Sequence, residues 1–143
     1  MERLTFRQIE HYFYHYKDYV KELESIRAES LDGYQRARSD TTGGSSSGKV
    51  PPGAPFEDRV VKDVERASML EFLTGSIDRL YQSLDTEKQK IFKLKYVRGY
   101  SNGRVIRETL ISRSGFYAKR VEIVEAYFGM VKDTAKKFGL LDC

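Results

Sequence analysis

The sequence contains very little of what disulfide and metal centres are built from. One of the 143 residues is a cysteine, Cys143, so no disulfide can form within the chain and a cysteine-based zinc site lacks ligands. The two histidines, His11 and His15, have a spacing that can place both on one helix face. No acidic or cysteine ligand is evidently fixed beside them, so we expect no metal site and no cofactor.

Apolar stretches of membrane-spanning length are also missing, so we expect no transmembrane segment. The first residues, "MERLTFRQIEHYFYHY", contain no small-residue cleavage site and no continuous apolar run behind a basic cluster. They therefore lack the marks of a secretory signal. The expected location is the cytoplasm.

The combinations of residues that enzymes use are absent as well. No Ser-His-Asp set and no pair of catalytic carboxylates stands out, and the acidic residues fall mostly at helical spacings typical of exposed faces. The segment "SRSG" (112–115) has neither the glycine spacing nor the lysine of a phosphate-binding loop. We expect a protein without catalytic residues.

What the chain does have is an uneven distribution of charge around a modest net value of +4. Residues 85–143 hold thirteen Lys and Arg against seven Asp and Glu, whereas residues 1–84 hold twelve against fourteen. Between Lys88 and Arg120 there are ten basic residues and a single acidic one, Glu108. Such density suits an anionic partner. We expect these residues to form a surface that binds nucleic acid rather than an ordinary solvated charged face.

A Ser/Gly/Pro-rich segment, residues 39–55, reads as a flexible linker between two helical series. The first series predicts an amphipathic helix over 5–37, and the second continues to Leu84. Their apolar positions, three or four residues apart, are Ile9, Phe13, Tyr16, Val20, Leu23 and Ile26, then Phe56, Val60, Val64, Ala67, Leu70, Leu73, Ile77, Leu80 and Leu84. We expect residues 1–84 to form an antiparallel, coiled-coil-like hairpin.

The apolar stripes of both helices are wider than one partner helix need cover. Spare apolar surface on this hairpin predicts self-association into a homodimer or higher oligomer. The first helix adds Tyr12, Tyr14 and Tyr19 around its stripe. We interpret these tyrosines as packing within the hairpin in preference to a ligand-binding cluster.

Residues 85–143 predict three further helices in a compact basic unit. Asp85 or Thr86 caps the first of them, which ends at Gly99 with Ile91, Leu94 and Val97 facing inward and Phe92 and Tyr96 on a flank. Ser101 caps a short second helix, and Ser112 caps a longer third helix. The inward positions of that third helix are Phe116, Ile123, Tyr127 and Val131.

The spacing from Gly99 to Phe116 predicts a helix-turn-helix, which joins a short supporting helix to a recognition helix through a tight turn. Val105 and Leu110 are expected to face the core, and Phe116 to anchor the recognition helix. The fold predicted for the whole chain is therefore all-α. It joins a helical hairpin (1–84) to a DNA-binding domain (85–143).

The string "LDTEKQKIFKLKYVRGYSNGRVIRETLISRSGFYAKRVEIV" (84–124) resembles the sigma-factor region that reads the upstream promoter element. The shared features are Gly-x-Ser, a hydrophobic residue four positions on, and a Ser cap before the recognition helix. The supporting helix lacks the usual acidic residues, and Thr109 stands where leucine is commoner, with Leu110 one residue later. These departures predict a different turn geometry.

The whole chain resembles the RinA/ArpU family of bacteriophage transcriptional regulators. The resemblance rests on an N-terminal helix, a Gly/Ser-rich interruption, a second helix beginning "DRVVKDVE" (58–65), and the sigma-like element. It implies an activator of late phage genes that acts on promoter DNA with host RNA polymerase.

The sigma-like pattern also implies roles for individual residues in binding double-stranded DNA. Base edges would be read by Arg113, Ser114, Tyr117 and Ala118. Phosphates would be held by Ser101, Arg104, Ser112, Lys119 and Arg120. Gly115 lies inside the recognition helix, and if it serves close approach to DNA, then Gly115→Ala should stabilise the free protein and weaken binding.

Two other functions compete with this interpretation. A small terminase subunit for DNA packaging also joins a helix-turn-helix to an oligomerising helical region, but generally places the DNA-binding element first. A helical adaptor would bind protein and use its basic face only for solubility.

Overall fold

The computed structural model describes residues 3–39 and 55–141, with side chains at 3–29 and 61–141. All elements in the described ranges are helical, which confirms the all-α class. The predicted linker lies outside these residues except at its two ends. The helices are α1 (Arg3–Tyr14), α2 (Tyr16–Ser39), α3 (Pro55–Ser83), α4 (Thr86–Phe92), a π-helical segment (Lys93–Val97), α5 (Asn102–Thr109) and α6 (Arg113–Lys137).

Helices α2 and α3 pack against each other as an antiparallel pair. The hydroxyl of Tyr16, at the start of α2, donates to Asp78 near the end of α3. Further along α2, Arg27 forms an ion pair of 3.0 Å with Glu71, and Glu71 lies earlier in α3 than Asp78 does. Because positions later in one helix meet positions earlier in the other, the chain reverses direction between them.

The N-terminal helix is divided at His15, where the sequence predicted one continuous helix. Backbone hydrogen bonds still cross the division, since His15 N donates to His11 O at 3.1 Å and Tyr19 N donates to His15 O at 3.0 Å. The division separates two packing surfaces. Helix α1 packs on α6 and the π-helical segment, whereas α2 packs on α3.

One hydrophobic core runs across residue 84, and the predicted boundary between two domains there stays a prediction. The ring of Phe13 in α1 lies 5.1 Å from Phe92, 5.0 Å from Tyr96 and 5.1 Å from Tyr127, all edge-on. Edge-to-face pairs of this kind add stability beyond the area they bury. Helix α1 is thus packed as part of the C-terminal helices.

Two of the three tyrosines predicted to pack inside the hairpin contact the C-terminal region, which corrects the expectation for these two. Tyr12 donates its hydroxyl hydrogen to the carbonyl of Leu140 at 2.5 Å, and the ring of Tyr14 lies 5.0 Å from that of Tyr96. The reason is that α1, which carries both side chains, packs on α6 and the π-helical segment.

The predicted stripe of α3 is only partly buried. Leu70, Leu73, Ile77 and Leu80 are buried, whereas Val64 is 63 % exposed. The side chains of Phe56 and Val60 lie outside the described residues. The prediction of an inward face was therefore right for the second half of the helix and wrong at Val64.

A π-helical segment follows α4 and was not predicted. Arg98 N donates to Lys93 O at 2.9 Å, five residues back, before the chain turns through Gly99 with a φ of 73°. This wider turn places three consecutive side chains, Leu94 to Tyr96, in buried positions. Phe92 and Tyr96, expected on a flank of the inward face, are each 2 % exposed, whereas Val97, expected inward, is half-buried.

Candidate nucleic-acid interface

Helices α5 and α6 begin at the caps that the sequence predicted. The Ser101 hydroxyl accepts from Arg104 N at 3.3 Å, and the Ser112 hydroxyl accepts from Gly115 N at 3.1 Å. Val105 of α5 and Phe116 of α6 are both fully buried. A short helix, a tight turn and an anchored second helix are therefore present, as a helix-turn-helix requires.

The turn between these helices corrects the prediction for Leu110. Leu110 ends α5 in the left-handed conformation, with φ 57° and ψ 28°, and its side chain is 91 % exposed. Its backbone N–H donates to Ile106 O at 3.0 Å, so the chain reverses at this residue instead of continuing the helical period. Ile111, one residue later, packs against the core in its place.

Gly115 has a role inside the protein. A Cβ atom at this position would lie 2.8 Å from the Ser112 hydroxyl oxygen and 3.2 Å from a methyl carbon of Ile111. The same hydroxyl caps α6 by accepting from Gly115 N. An alanine would push against the cap, so the expected stabilisation by Gly115→Ala does not hold.

The four residues implied in base reading lie on the first two turns of α6. Arg113, Ser114 and Ala118 are exposed, and Tyr117 is half-buried with its ring 5.3 Å from that of Phe116. Their spacing of one, four and five residues from Arg113 places them on one side of the helix. Arg113 forms no ion pair with any described residue.

Arg104, implied in phosphate binding, is held in one orientation at the surface. Its guanidinium carbon lies 3.6 Å from the ring centroid of Tyr100, and its Nε donates to Glu108 at 3.2 Å. The Nε bond uses one of the five N–H donors of the guanidinium. A guanidinium held flat in this way loses little freedom when it meets a phosphate.

Lys119, also implied in phosphate binding, connects α6 to α4. Its ammonium lies 3.1 Å from Glu87, and the hydrogen bond to that carboxylate raises the lysine's pKa. A second pair, Lys88 with Glu122 at 3.0 Å, joins the same two helices in the opposite sense. A contact from Lys119 to phosphate therefore competes with Glu87.

Arg120 faces inward, away from the proposed groove-facing side chains. Its Nε and one terminal nitrogen donate to the two oxygens of Glu10 in α1, at 2.8 and 2.6 Å. The hydrogen bonds that Arg120 donates to Glu10 raise the guanidinium's pKa. This bidentate pair makes Arg120 a connection between α1 and α6, which weighs against the phosphate contact implied for it.

Glu10 is 7 % exposed and also accepts the hydroxyl hydrogen of Tyr96 at 2.6 Å. Burial acts to raise the pKa of Glu10, but the hydrogen bonds from Arg120 and Tyr96 outweigh it and hold the pKa below its ordinary value. Burial and the adjacent carboxylate raise the pKa of Tyr96. The three groups form a charged centre between α1, the π-helical segment and α6.

Lys95 is a second buried polar group that the sequence did not reveal. It is 4 % exposed, and its ammonium donates to the Tyr14 hydroxyl at 2.8 Å and to Asn102 Oδ1 at 2.7 Å. The π-helical turn is what brings it inside. The only sequence signal for Glu10 was its place beside Ile9 on the apolar stripe, and Lys95 had none.

The positive charge left at the surface is therefore smaller than the sequence count suggests. Of the ten basic residues from 88 to 120, five are exposed and form no ion pair with a described residue. These five are Lys90, Lys93, Arg98, Arg107 and Arg113.

The described residues contain no cluster of three or more side chains suited to hold a metal ion. The His11 and His15 rings lie 4.3 Å apart, and His15 Nδ1 is 3.1 Å from the carboxylate of Asp18. Among the described helices none is long and apolar enough to cross a bilayer. Comparison with protein-family models found no match, and searches of curated proteins and of solved structures found no similar protein or fold.

Proposed function

We propose that this protein is a sequence-specific regulator of transcription that binds double-stranded DNA through α5 and α6, as an activator of late phage genes acting with host RNA polymerase. The observation that carries the proposal is the arrangement at the start of α6. A Ser cap and a fully buried Phe116 fix the helix, three small or polar side chains are exposed, and Tyr117 is half-buried beside them. The activator role rests on the family resemblance of the sequence.

In this account the first turns of α6 enter the major groove. Arg113 can donate two hydrogen bonds to guanine O6 and N7, a contact worth about 1 to 3 kcal/mol of discrimination. Ala118 lets the helix approach closely, and Ser114 and Tyr117 contact neighbouring bases or sugars. Arg104, held against Tyr100, binds a phosphate and sets the position of the domain without reading sequence.

Self-association would place two such helices on paired half-sites. Helix α3 exposes two valines in its first half, Val61 at 55 % and Val64 at 63 %. Exposed apolar side chains on a helical hairpin suit a contact between two copies of the chain. Two-fold pairing would set the half-sites one or more helical turns apart.

A helical adaptor that binds protein is the second candidate. It is favoured by the internal use of basic residues, since Lys95 is buried and Arg120 pairs with Glu10. An adaptor would need fewer free cations than a DNA-binding protein.

Selection from a pool of random duplexes separates the two. The proposed function predicts that repeated rounds of binding enrich one short motif, and that its symmetry reports the half-site arrangement. A folded protein that retains no duplex, or that enriches no sequence, contradicts the proposal and favours the adaptor.

A further inference from the structure

Leu110 is unusual in two independent ways. It is the only residue other than glycine with a positive φ among the described residues, and its side chain is 91 % exposed. A left-handed helix C-terminus prefers glycine or asparagine, because a Cβ is crowded in that conformation. Leu110 adopts this unfavourable conformation although its side chain is not buried. No contact within the described protein therefore accounts for a leucine at this position.

The surroundings of Leu110 indicate what it meets. Arg107 lies in the last turn of α5 and Arg113 in the first turn of α6, and both are exposed without an ion pair to a described residue. The residues between Leu110 and Arg113 are Ile111, which packs inward, and the capping Ser112. Leu110 is thus a single apolar side chain between two cations at the start of the proposed reading helix.

We propose that Leu110 is a specificity-determining residue that contacts the C5-methyl group of a thymine next to the base read by Arg113. This inference rests on the proposed DNA-binding function. The thymine methyl is the one apolar feature that base edges present in the major groove. Arg107 suits a neighbouring phosphate while Arg113 reads the adjacent base, and the left-handed turn leaves the Leu110 side chain exposed just before α6.

The test compares thymine with uracil, which lacks only this methyl group. Duplexes carrying the preferred site are made with each thymine replaced by uracil in turn. The proteins are the wild type, Leu110→Ala and Leu110→Gly. Leu4→Ala is the matched control, because Leu4 is 54 % exposed on α1, apart from the turn.

For the wild type and for Leu4→Ala, replacing thymine by uracil at one position should lower the affinity about fourfold, which corresponds to the free energy of burying one methyl group. Leu110→Ala should bind the thymine and uracil duplexes equally. Leu110→Gly should behave in the same way, and its melting temperature should rise by about 3 °C because glycine relieves the strain.

Three results overturn the inference. If the wild type binds the thymine and uracil duplexes equally at every position, or if Leu110→Ala keeps the thymine preference, then the methyl contact is absent while DNA binding stands. If the wild type binds no duplex at all, the proposed function fails and this inference fails with it.

Discussion

Glu10 of α1 and Arg120 of α6 lie 110 residues apart in the sequence and meet through two hydrogen bonds of 2.8 and 2.6 Å. The carboxylate is almost fully buried, and Tyr96 donates to it as well. Arg120 lies two turns from the Ser112 cap of α6. The pair therefore fixes the orientation of that helix against the N-terminal helix.

Breaking this pair should destabilise the fold strongly. Arg120→Ala leaves a buried carboxylate with one remaining donor, and we expect a loss of about 3 kcal/mol in the free energy of unfolding, measured in urea. Arg120→Lys should recover only part of it, because an ammonium cannot bond both oxygens in parallel.

A double-mutant cycle with Glu10→Gln supplies the control. The two substitutions together should cost at least 1 kcal/mol less than the sum of the single costs, since they remove one shared interaction. Additive costs would show that the pair contributes nothing as a unit.

The same pair should make stability depend on pH in the acid range. The pKa of Glu10 is lower in the folded protein than its ordinary value of 4.5, so its contribution is complete above about pH 4.5. The contribution is lost as the pH falls below that value toward the folded-state pKa. The difference in unfolding free energy between the wild type and Glu10→Gln should therefore shrink between pH 5 and pH 3, and a constant difference would contradict the assignment.

Gly115→Ala should destabilise the protein although it raises helix propensity. The new methyl group would press on the Ser112 hydroxyl, whose cap bond is worth about 1 kcal/mol. Thermal unfolding of the single and double variants with Ser112→Ala checks the cause. In the Ser112→Ala background, Gly115→Ala should lower the melting temperature less, or raise it. An unchanged loss would mean that the clash is with Ile111 instead.

Arg113→Ala and Arg104→Ala should weaken DNA binding in different ways. Loss of Arg113 should relax preference at one base pair by about 1 to 3 kcal/mol, whereas loss of Arg104 should weaken all duplexes alike. Binding to the selected site and to single-base variants of it measures both, with the exposed Lys136→Ala at the far end of α6 as control. Equal loss of preference from both arginine variants would contradict the division of roles.

The features of this fold that depend on local sequence were predictable. Asp85, Ser101 and Ser112 cap helices because each side chain accepts from a backbone N–H three residues later. Gly99 takes the left-handed conformation that its position after a helical segment favoured. Helical spacing also placed Phe116 in the core.

The features that depend on distant packing were not predictable. Ten basic residues look alike in the sequence, but a π-helical turn buries Lys95 and a carboxylate from α1 engages Arg120. Leu110 was predicted to face inward because the helical spacing of α5 was continued to residue 110, whereas the helix ends at Thr109. The capping pattern located the candidate site, whereas tertiary contacts decide which of its cations are free.

The salt dependence of duplex binding tests the central claim most directly. The account predicts that log K falls linearly against log salt, with a slope of about −0.9 for each phosphate that a Lys or Arg neutralises, and that Arg104→Ala reduces that slope by about one. Fluorescence anisotropy of the wild type on the selected site, from 50 to 300 mM salt, gives this value. Affinity that is absent, or that does not change over this range, would contradict DNA binding by this protein.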